Sequence, residues 1–336
     1  MGLVLPFLNL LFLLISHSIS HADGGAVGVN YGLIANNLPS PAEAINLINS
    51  KNIGRIRIFS PDHNVLNAIQ NSGILFQVII GTFNDDVPKL ASDTNFAKNW
   101  VETNIIPYNA IKFHCISVGN EIIPGNLASS VLAAMGNLNA ALKSYNLNIQ
   151  VSTTVGFDLL ASSFPPSSGD FKGDYKGIMQ EISGFLSNNG FPLLLNAYPY
   201  FAYASNPSNI PASYALMNST ETVVRDGSLE YKNLFDAMVD SVYSALEKVS
   251  AGGLDIVVAE SGWPSNGNGE FTTPSLAQTY NQNLVRHANS GTPKNPGKSV
   301  ETYVFALFNE NQKTPGVEQN FGLFNPDMSE VYHIDF

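Results

Sequence analysis

Val27-Gly28-Val29-Asn30-Tyr31-Gly32, then Ser40-Pro41-Ala42-Glu43, then Arg55-Ile56-Arg57-Ile58-Phe59 is the stretch where the fold becomes legible. The first piece carries Val at alternate positions and reads as a strand. In the second, Ser40 is followed three residues later by Glu43, a capping box. Pro41 sits at the first helical position, where its missing N–H costs nothing, and Ile45, Leu47 and Ile48 supply the apolar face. The third piece is a second strand. Strand, helix and strand in this order pair in parallel through a right-handed crossover.

The same rhythm continues along the chain. A helix is expected from Pro61 to Gln70, a strand from Leu75 to Ile80, and a helix around Asn95 to Thr103. Ile111 to Val118 is the fourth strand, with a long helix from about Leu127 to Tyr145. Ile149 to Val155 is the fifth, followed by a Gly/Ser/Pro loop and a helix near Lys176 to Leu186. Leu193 to Ala197 is the sixth; after a long aromatic loop comes a helix from about Tyr231 to Val249. Asp255 to Ala259 and a helix around Ser275 to Ala288 form the seventh unit, and Glu301 to Phe308 is the eighth strand. Eight such units predict one closed (β/α)8 barrel, an α/β fold. A doubly wound sheet is the competing topology, but Gly28-Val29-Asn30-Tyr31-Gly32 lacks the G-x-G-x-x-G spacing that cradles a pyrophosphate.

Composition narrows the class. Of 336 residues, 44% are hydrophobic and only 13% charged, which excludes a disordered chain. One barrel of roughly 250 residues or more accounts for the length. A net charge of −11 is repelled by phosphate backbones and anionic membrane surfaces, so neither nucleic acid nor a membrane is expected as partner. A neutral sugar polymer is compatible with that charge. Leu3 to Ile15 is apolar apart from Asn9, and Ser20-His21-Ala22 offers small residues at the cleavage positions. Residues 1–22 therefore read as a secretory signal peptide and 23–336 as the catalytic barrel. Cys115, the single cysteine, lies in an apolar strand and reads as a buried, inert thiol.

In such a barrel the active site forms at the C-terminal ends of the strands. The fourth strand ends in Val118-Gly119-Asn120-Glu121, and the seventh runs into Val258-Ala259-Glu260-Ser261-Gly262-Trp263-Pro264. Two carboxyls at one barrel mouth are the minimum equipment for glycoside hydrolysis: one protonates the leaving oxygen, the other attacks the anomeric carbon or activates water. Trp263 beside Glu260 is the kind of ring on which a sugar stacks. His63, His114, His287 and His333 are scattered, so no metal and no cofactor is expected. Ser261 does not form the G-x-S-x-G elbow of a serine hydrolase.

Several spaced motifs add a resemblance covering about Ala26 to Phe336. Val257-Val258-Ala259-Glu260-Ser261-Gly262-Trp263-Pro264-Ser265 resembles the signature of the glycoside hydrolase family 17 plant β-glucanases, and Gly28 to Gly32, Val118 to Glu121 and Asn196-Ala197-Tyr198-Pro199-Tyr200-Phe201 are similar to its other motifs. So are Phe308 to Lys313 and Gln319 to Phe324. The resemblance, strongest to secreted acidic glucan endo-1,3-β-glucosidases, implies Glu260 as nucleophile and Glu121 as general acid/base. It further implies retention of anomeric configuration, with the carboxyls roughly 5–5.5 Å apart. Asn120 is placed to bond the sugar 2-hydroxyl or the nucleophile. Glu310, Lys313 and Glu318 match a charged cluster, expected as an ion-pair network that orients the nucleophile and binds hydroxyls; Glu310 is also a rival for the acid. Tyr31, Tyr198, Tyr200, Phe201 and Tyr203 look like platforms for consecutive glucose rings. Where many relatives carry charged residues after Phe-Ala-Tyr, this chain has Ala204-Ser205, which bears on the outer subsites.

The expected activity is endo-hydrolysis of β-1,3-glucan. Two alternatives are a 1,3;1,4-β-glucan endohydrolase on the same barrel and a non-catalytic glucan-binding wall protein. Asn218-Ser219-Thr220 is a glycosylation sequon. A soluble extracellular monomer acting on wall or callose-type glucan in a plant completes the expectation.

Overall fold

The computed structural model describes residues 25–336; the expected signal peptide, residues 1–22, and its cleavage point lie outside them. Eight parallel strands close into a barrel in sequential order. They are β1 (Val27–Tyr31), β2 (Arg55–Ile58), β3 (Gln77–Gly81), β4 (Lys112–Asn120), β5 (Gln150–Gly156), β6 (Leu193–Asn196), β7 (Ile256–Ser261) and β8 (Thr302–Val304). The helices are α1 (Pro41–Ser50), α2 (His63–Ser72), α3 (Val87–Ser92), α4 (Thr94–Asn104), α5 (Ala128–Ser144), α6 (Gly173–Asn189), α7 (Pro199–Ser205), α8 (Ala212–Ala215), α9 (Leu234–Lys248) and α10 (Pro274–His287).

The expected capping box forms, and four further helices are capped. Ser40 and Glu43 complete the capping box reciprocally at the start of α1, and Asp62, Asp93, Asn233 and Thr273 cap α2, α4, α9 and α10 through their side chains. The main apolar core lies between the strands and the helix ring. A second, small cluster of Ile79, Cys115, Leu194, Val257, Ala259 and Tyr303 comes from barrel strands alone. Gly28 makes room for it, since a Cβ there would lie 2.6 Å from the Tyr303 ring. Cys115 is buried, and burial pushes its thiol pKa up, as an inert thiol requires.

Two local expectations need correction. The eighth strand is shorter than Glu301 to Phe308: beyond Val304 the chain still bonds to Ser261 and Asn30, but then turns to bridge Phe324. Tyr231 does not open a helix; it ends a hairpin of Val224–Asp226 with Leu229–Tyr231, and α9 starts only after the Asn233 cap. A second hairpin joins Leu160–Ser162 to Asp170–Phe171. Both hairpins are too short for an alternating pattern to register in sequence.

Candidate active site

β4 and β7 each lose regular register just before delivering their carboxylates. The β4–β5 pairing shifts between Ser117 and Asn120, and the β7–β6 pairing shifts between Val258 and Glu260. Such bulges bend a strand end and re-aim its side chains, here at the barrel mouth. Gly119 takes φ 70° and Glu121 φ 54°, so the chain turns sharply around Asn120. Asn84 grips that turn from both sides: the Asn120 N–H donates to Asn84 Oδ1 at 2.8 Å, and Asn84 Nδ2 donates to the Asn120 carbonyl at 3.2 Å.

Glu121 and Glu260 line one cleft of about 690 Å³. Glu260 is 6% exposed. Arg57 Nη1 donates to its Oε1 at 2.7 Å, and the Tyr198 hydroxyl donates to its Oε2 at 2.7 Å. Both oxygens are thus held by donors, which fixes the orientation of the carboxyl group. Arg57 is itself oriented: Nη1 also donates to Asn30 Oδ1 at 2.9 Å, and Nη2 to Asn120 Oδ1 at 2.8 Å. Asn30 in turn donates to the carbonyls of Ala259, Tyr303 and Val304. Burial and then the Glu260 charge hold the Tyr198 phenol well above its ordinary pKa, so it remains a donor.

Glu121 has different surroundings. Its side chain opens to the cleft, while packed protein on the other sides disfavours its charged form. Glu121 is exposed on the cleft side, yet desolvation by the protein around it raises its pKa, the Glu260 charge raises it further, and the Asn196 hydrogen bond and Arg57 charge oppose them in part. Asn196 Nδ2 donates to Glu121 Oε1 at 2.9 Å. Two carboxyls facing one cavity with unlike environments can divide into a proton donor and a charged partner.

The remaining expected residues separate by position. Tyr198, Phe201, Asn120, Lys313 and Glu318 line the cleft with the two carboxyls. Asn120 bonds Arg57 and Asn196 rather than Glu260. Trp263 and Tyr200 are fully buried, stacked edge to face 5.2 Å apart, and Trp263 Nε1 donates to the Phe271 carbonyl. Neither presents a face to the cleft; they support the wall that carries Phe201, whose ring meets Tyr200 at 5.1 Å. Tyr203 packs against Trp263 and Phe271. Tyr31 is also buried and borders a side recess with Glu310.

The expected three-member network is, among the described residues, a Glu310–Lys313 pair at 3.5 Å, with Glu318 apart from it on the cleft wall. Glu310 Oε1 accepts the Ile34 N–H at 2.7 Å and lies against Gly32, so Glu310 braces the loop after β1. Lys313 Nζ stands 4.2 Å from the centre of the Phe305 ring. Sequence reasoning assigned no role to Arg57, Asn30, Asn196, Phe59, Phe157, Phe305 or Phe321. An Arg inside the apolar run Arg55-Ile56-Arg57-Ile58 was the available signal, because a buried charge needs a partner. Among the described residues, no group of three or more metal-ligating side chains is assembled.

A parallel barrel with paired carboxyls at its mouth is the architecture of a glycoside hydrolase, and the comparisons agree. The chain belongs to glycosyl hydrolases family 17, whose model matches residues 27–336. A Hordeum vulgare relative whose name includes "glucan endo-1,3-beta-glucosidase GVI" is 49% identical over 313 residues, 92% of this chain and 97% of that protein. Among solved structures, a beta-1,3-glucanase and allergen of Cryptomeria japonica pollen is 46% identical, with TM-score 0.88 over 92% of this chain and 98% of that one. One from a study of two plant beta-glucan endohydrolases with distinct substrate specificities is 43% identical, with TM-score 0.88 over 92% of this chain and 100% of that one.

Proposed function

We propose that this chain hydrolyses internal β-1,3-glucosidic linkages of β-glucan, such as callose or fungal wall glucan, with Glu260 as nucleophile and Glu121 as general acid/base. The observation that carries the assignment is the division of surroundings across one cleft. Glu260 is buried and held at both oxygens by Arg57 and Tyr198, whereas Glu121 is exposed to the cleft, and desolvation by the protein around it and the Glu260 charge raise its pKa. Glu121 protonates the departing oxygen as Glu260 attacks the anomeric carbon; a water activated by Glu121 then releases the glycosyl group with retention. Phe201 and the wall around Tyr198 carry the sugar rings, while Lys313 and Glu318 meet hydroxyls. The names of the relatives support the 1,3 linkage.

The chain acts as a secreted monomer after loss of residues 1–22, and exposed Asn218 accepts a glycan. Among the described residues no helix is long and apolar enough to cross a membrane. The test is a reducing-end assay on linear β-1,3-glucan beside mixed-linkage 1,3;1,4-glucan. Turnover should favour the former, and proton NMR of early product should show the β-anomer first. Glu260→Ala should remove turnover and spare oligosaccharide binding. Preference for the mixed-linkage polymer would overturn the linkage, and early α-anomer would overturn the mechanism.

A further inference from the structure

Gly156, the last residue of β5, has φ −85° and ψ 165°, an extended backbone that any residue adopts. Conformation therefore does not call for glycine there; space does. A Cβ at this position would lie 2.8 Å from Asp158 Oδ1 and 3.1 Å from Glu121 Oε1. The missing side chain lets two carboxyl groups converge over one backbone position, Glu121 from the end of β4 and Asp158 from the turn after β5. Both are exposed and both line the cleft. With Glu260, three carboxyls thus gather at the barrel mouth, and Asp158 is the one without a task.

A task follows from the two jobs of Glu121, and this step rests on its assignment as acid/base made above. Glu121 gives a proton to the departing sugar oxygen and then takes one from the attacking water. Its surroundings change between the two. Before reaction, desolvation and the Glu260 charge raise its pKa and the Asp158 charge adds to them, while the Asn196 hydrogen bond and the Arg57 charge act the other way. Once Glu260 has attacked the anomeric carbon, its carboxylate is an ester and its charge is gone. The Arg57 guanidinium from β2 and the Asn196 donor from β6 are still in place. Tyr198 remains a neutral donor, and Lys313 and Glu318 face the cleft with one charge of each sign. Of the two carboxylates that raise the Glu121 pKa, only Asp158 is not consumed by the reaction.

We propose that Asp158 is a positioning residue that acts through Glu121: its carboxylate, facing Glu121 across the bare Gly156, keeps Glu121 a competent base while Glu260 is esterified. In that step water gives hydroxide to the anomeric carbon and its proton to Glu121. The ester C–O bond breaks, and Glu260 recovers its carboxylate.

The test uses the full chain and Asp158→Asn, which removes the charge at an exposed site with little change of shape. On linear β-1,3-glucan the alkaline limb of kcat/KM, which reports Glu121 in the free enzyme, should move down by about 0.5–1 pH unit. Added salt should move the wild-type limb the same way and the variant limb less, because a charge open to water is screened. In 2,4-dinitrophenyl β-laminaritrioside the leaving group needs no proton, so release of the glycosyl group from Glu260 limits turnover. There kcat and KM of Asp158→Asn should fall together by about threefold, with kcat/KM at the optimum unchanged. Asp158→Glu, which keeps the charge, should return the limb toward the wild-type position. A limb that stays or moves up in Asp158→Asn, or a loss of kcat/KM at every pH alike, would overturn the proposal. The assignment of Glu121 is tested separately by Glu121→Ala with azide and the dinitrophenyl substrate. A β-glycosyl azide product supports it, and absence of that product would overturn the acid/base reading itself.

Discussion

Arg57 is the residue on which the geometry of the cleft converges. Its guanidinium fork touches Glu260, Asn30 and Asn120, a division that a lysine cannot reproduce because its ammonium is a single point. Arg57→Lys should therefore lower kcat on the order of a hundredfold, the effect of losing one preorganised donor, and change KM much less. Arg57→Met should also destabilise the fold by about 3–5 kcal/mol, because it leaves Glu260 charged, buried and half-paired; urea unfolding measures this. The acid is testable through Asn196. Its hydrogen bond lowers the Glu121 pKa against burial and the Glu260 charge, so Asn196→Ala should move the alkaline limb of kcat/KM to higher pH. A limb that moves down would show that Glu121 is not the group titrating there.

At the scale of elements, the informative feature is that the site is built on strand ends that break their own ladder. Gly119 has φ 70°, where a side chain is strained, and a Cβ there would lie 2.5 Å from Ile122 Cδ1. Gly119→Ala should cost about 1–2 kcal/mol for the left-handed backbone alone. It should also reduce kcat, because Asn120 and Glu121 follow directly on the displaced turn. Parallel measurement of the urea midpoint and of kcat checks both; full activity in a destabilised variant would separate the turn from the chemistry. Helix α9 illustrates a second demand. It buries Asp236 and Asp240: Asp236 meets the His287 ring at 2.7 Å, while Asp240 accepts from the Tyr231 hydroxyl and the Lys294 N–H. These contacts tie α9 to the hairpin before it, to α10 and to the loop after α10.

For the molecule as a whole, those buried groups set a pH dependence. Burial pushes the Asp240 pKa up to about 6, despite hydrogen bonds that lower it. The folded chain thus holds this proton more tightly than the unfolded chain, where aspartate titrates near ~3.9. The associated stability is complete below that value and lost as pH rises through about 6. For His287, burial lowers the pKa but the Asp236 hydrogen bond and charge outweigh it, so its contribution too fades as pH rises through a folded value above the ordinary histidine range. Melting temperature should therefore be higher at mildly acidic pH than at pH ~8. Asp240→Asn should flatten the curve by roughly 3 kcal/mol at most, taking 1.36 kcal/mol per unit. An unchanged slope in that variant would assign the pH dependence to other groups.

Periodicity, caps and strand-end motifs determined much of this protein without coordinates. Eight βα units, the Ser40–Glu43 box and the carboxyls after Val118 and Ala259 are local patterns, and each rests on forces that act within a few residues. Glu121 and Glu260 were legible because a barrel sends every strand end to the same face. Only the tertiary structure decided which aromatic rings meet the cleft. Trp263 and Tyr200 stand in the same kinds of motif as Phe201, yet they are buried beneath it, because crossings between α7, the β7 loop and Phe321 determine which ring faces outward. The same holds for the Arg57–Glu260 pair, separated by 203 positions in the chain. Local sequence carries an element's period and ends; the partner of a buried charge depends on where distant strands are brought together.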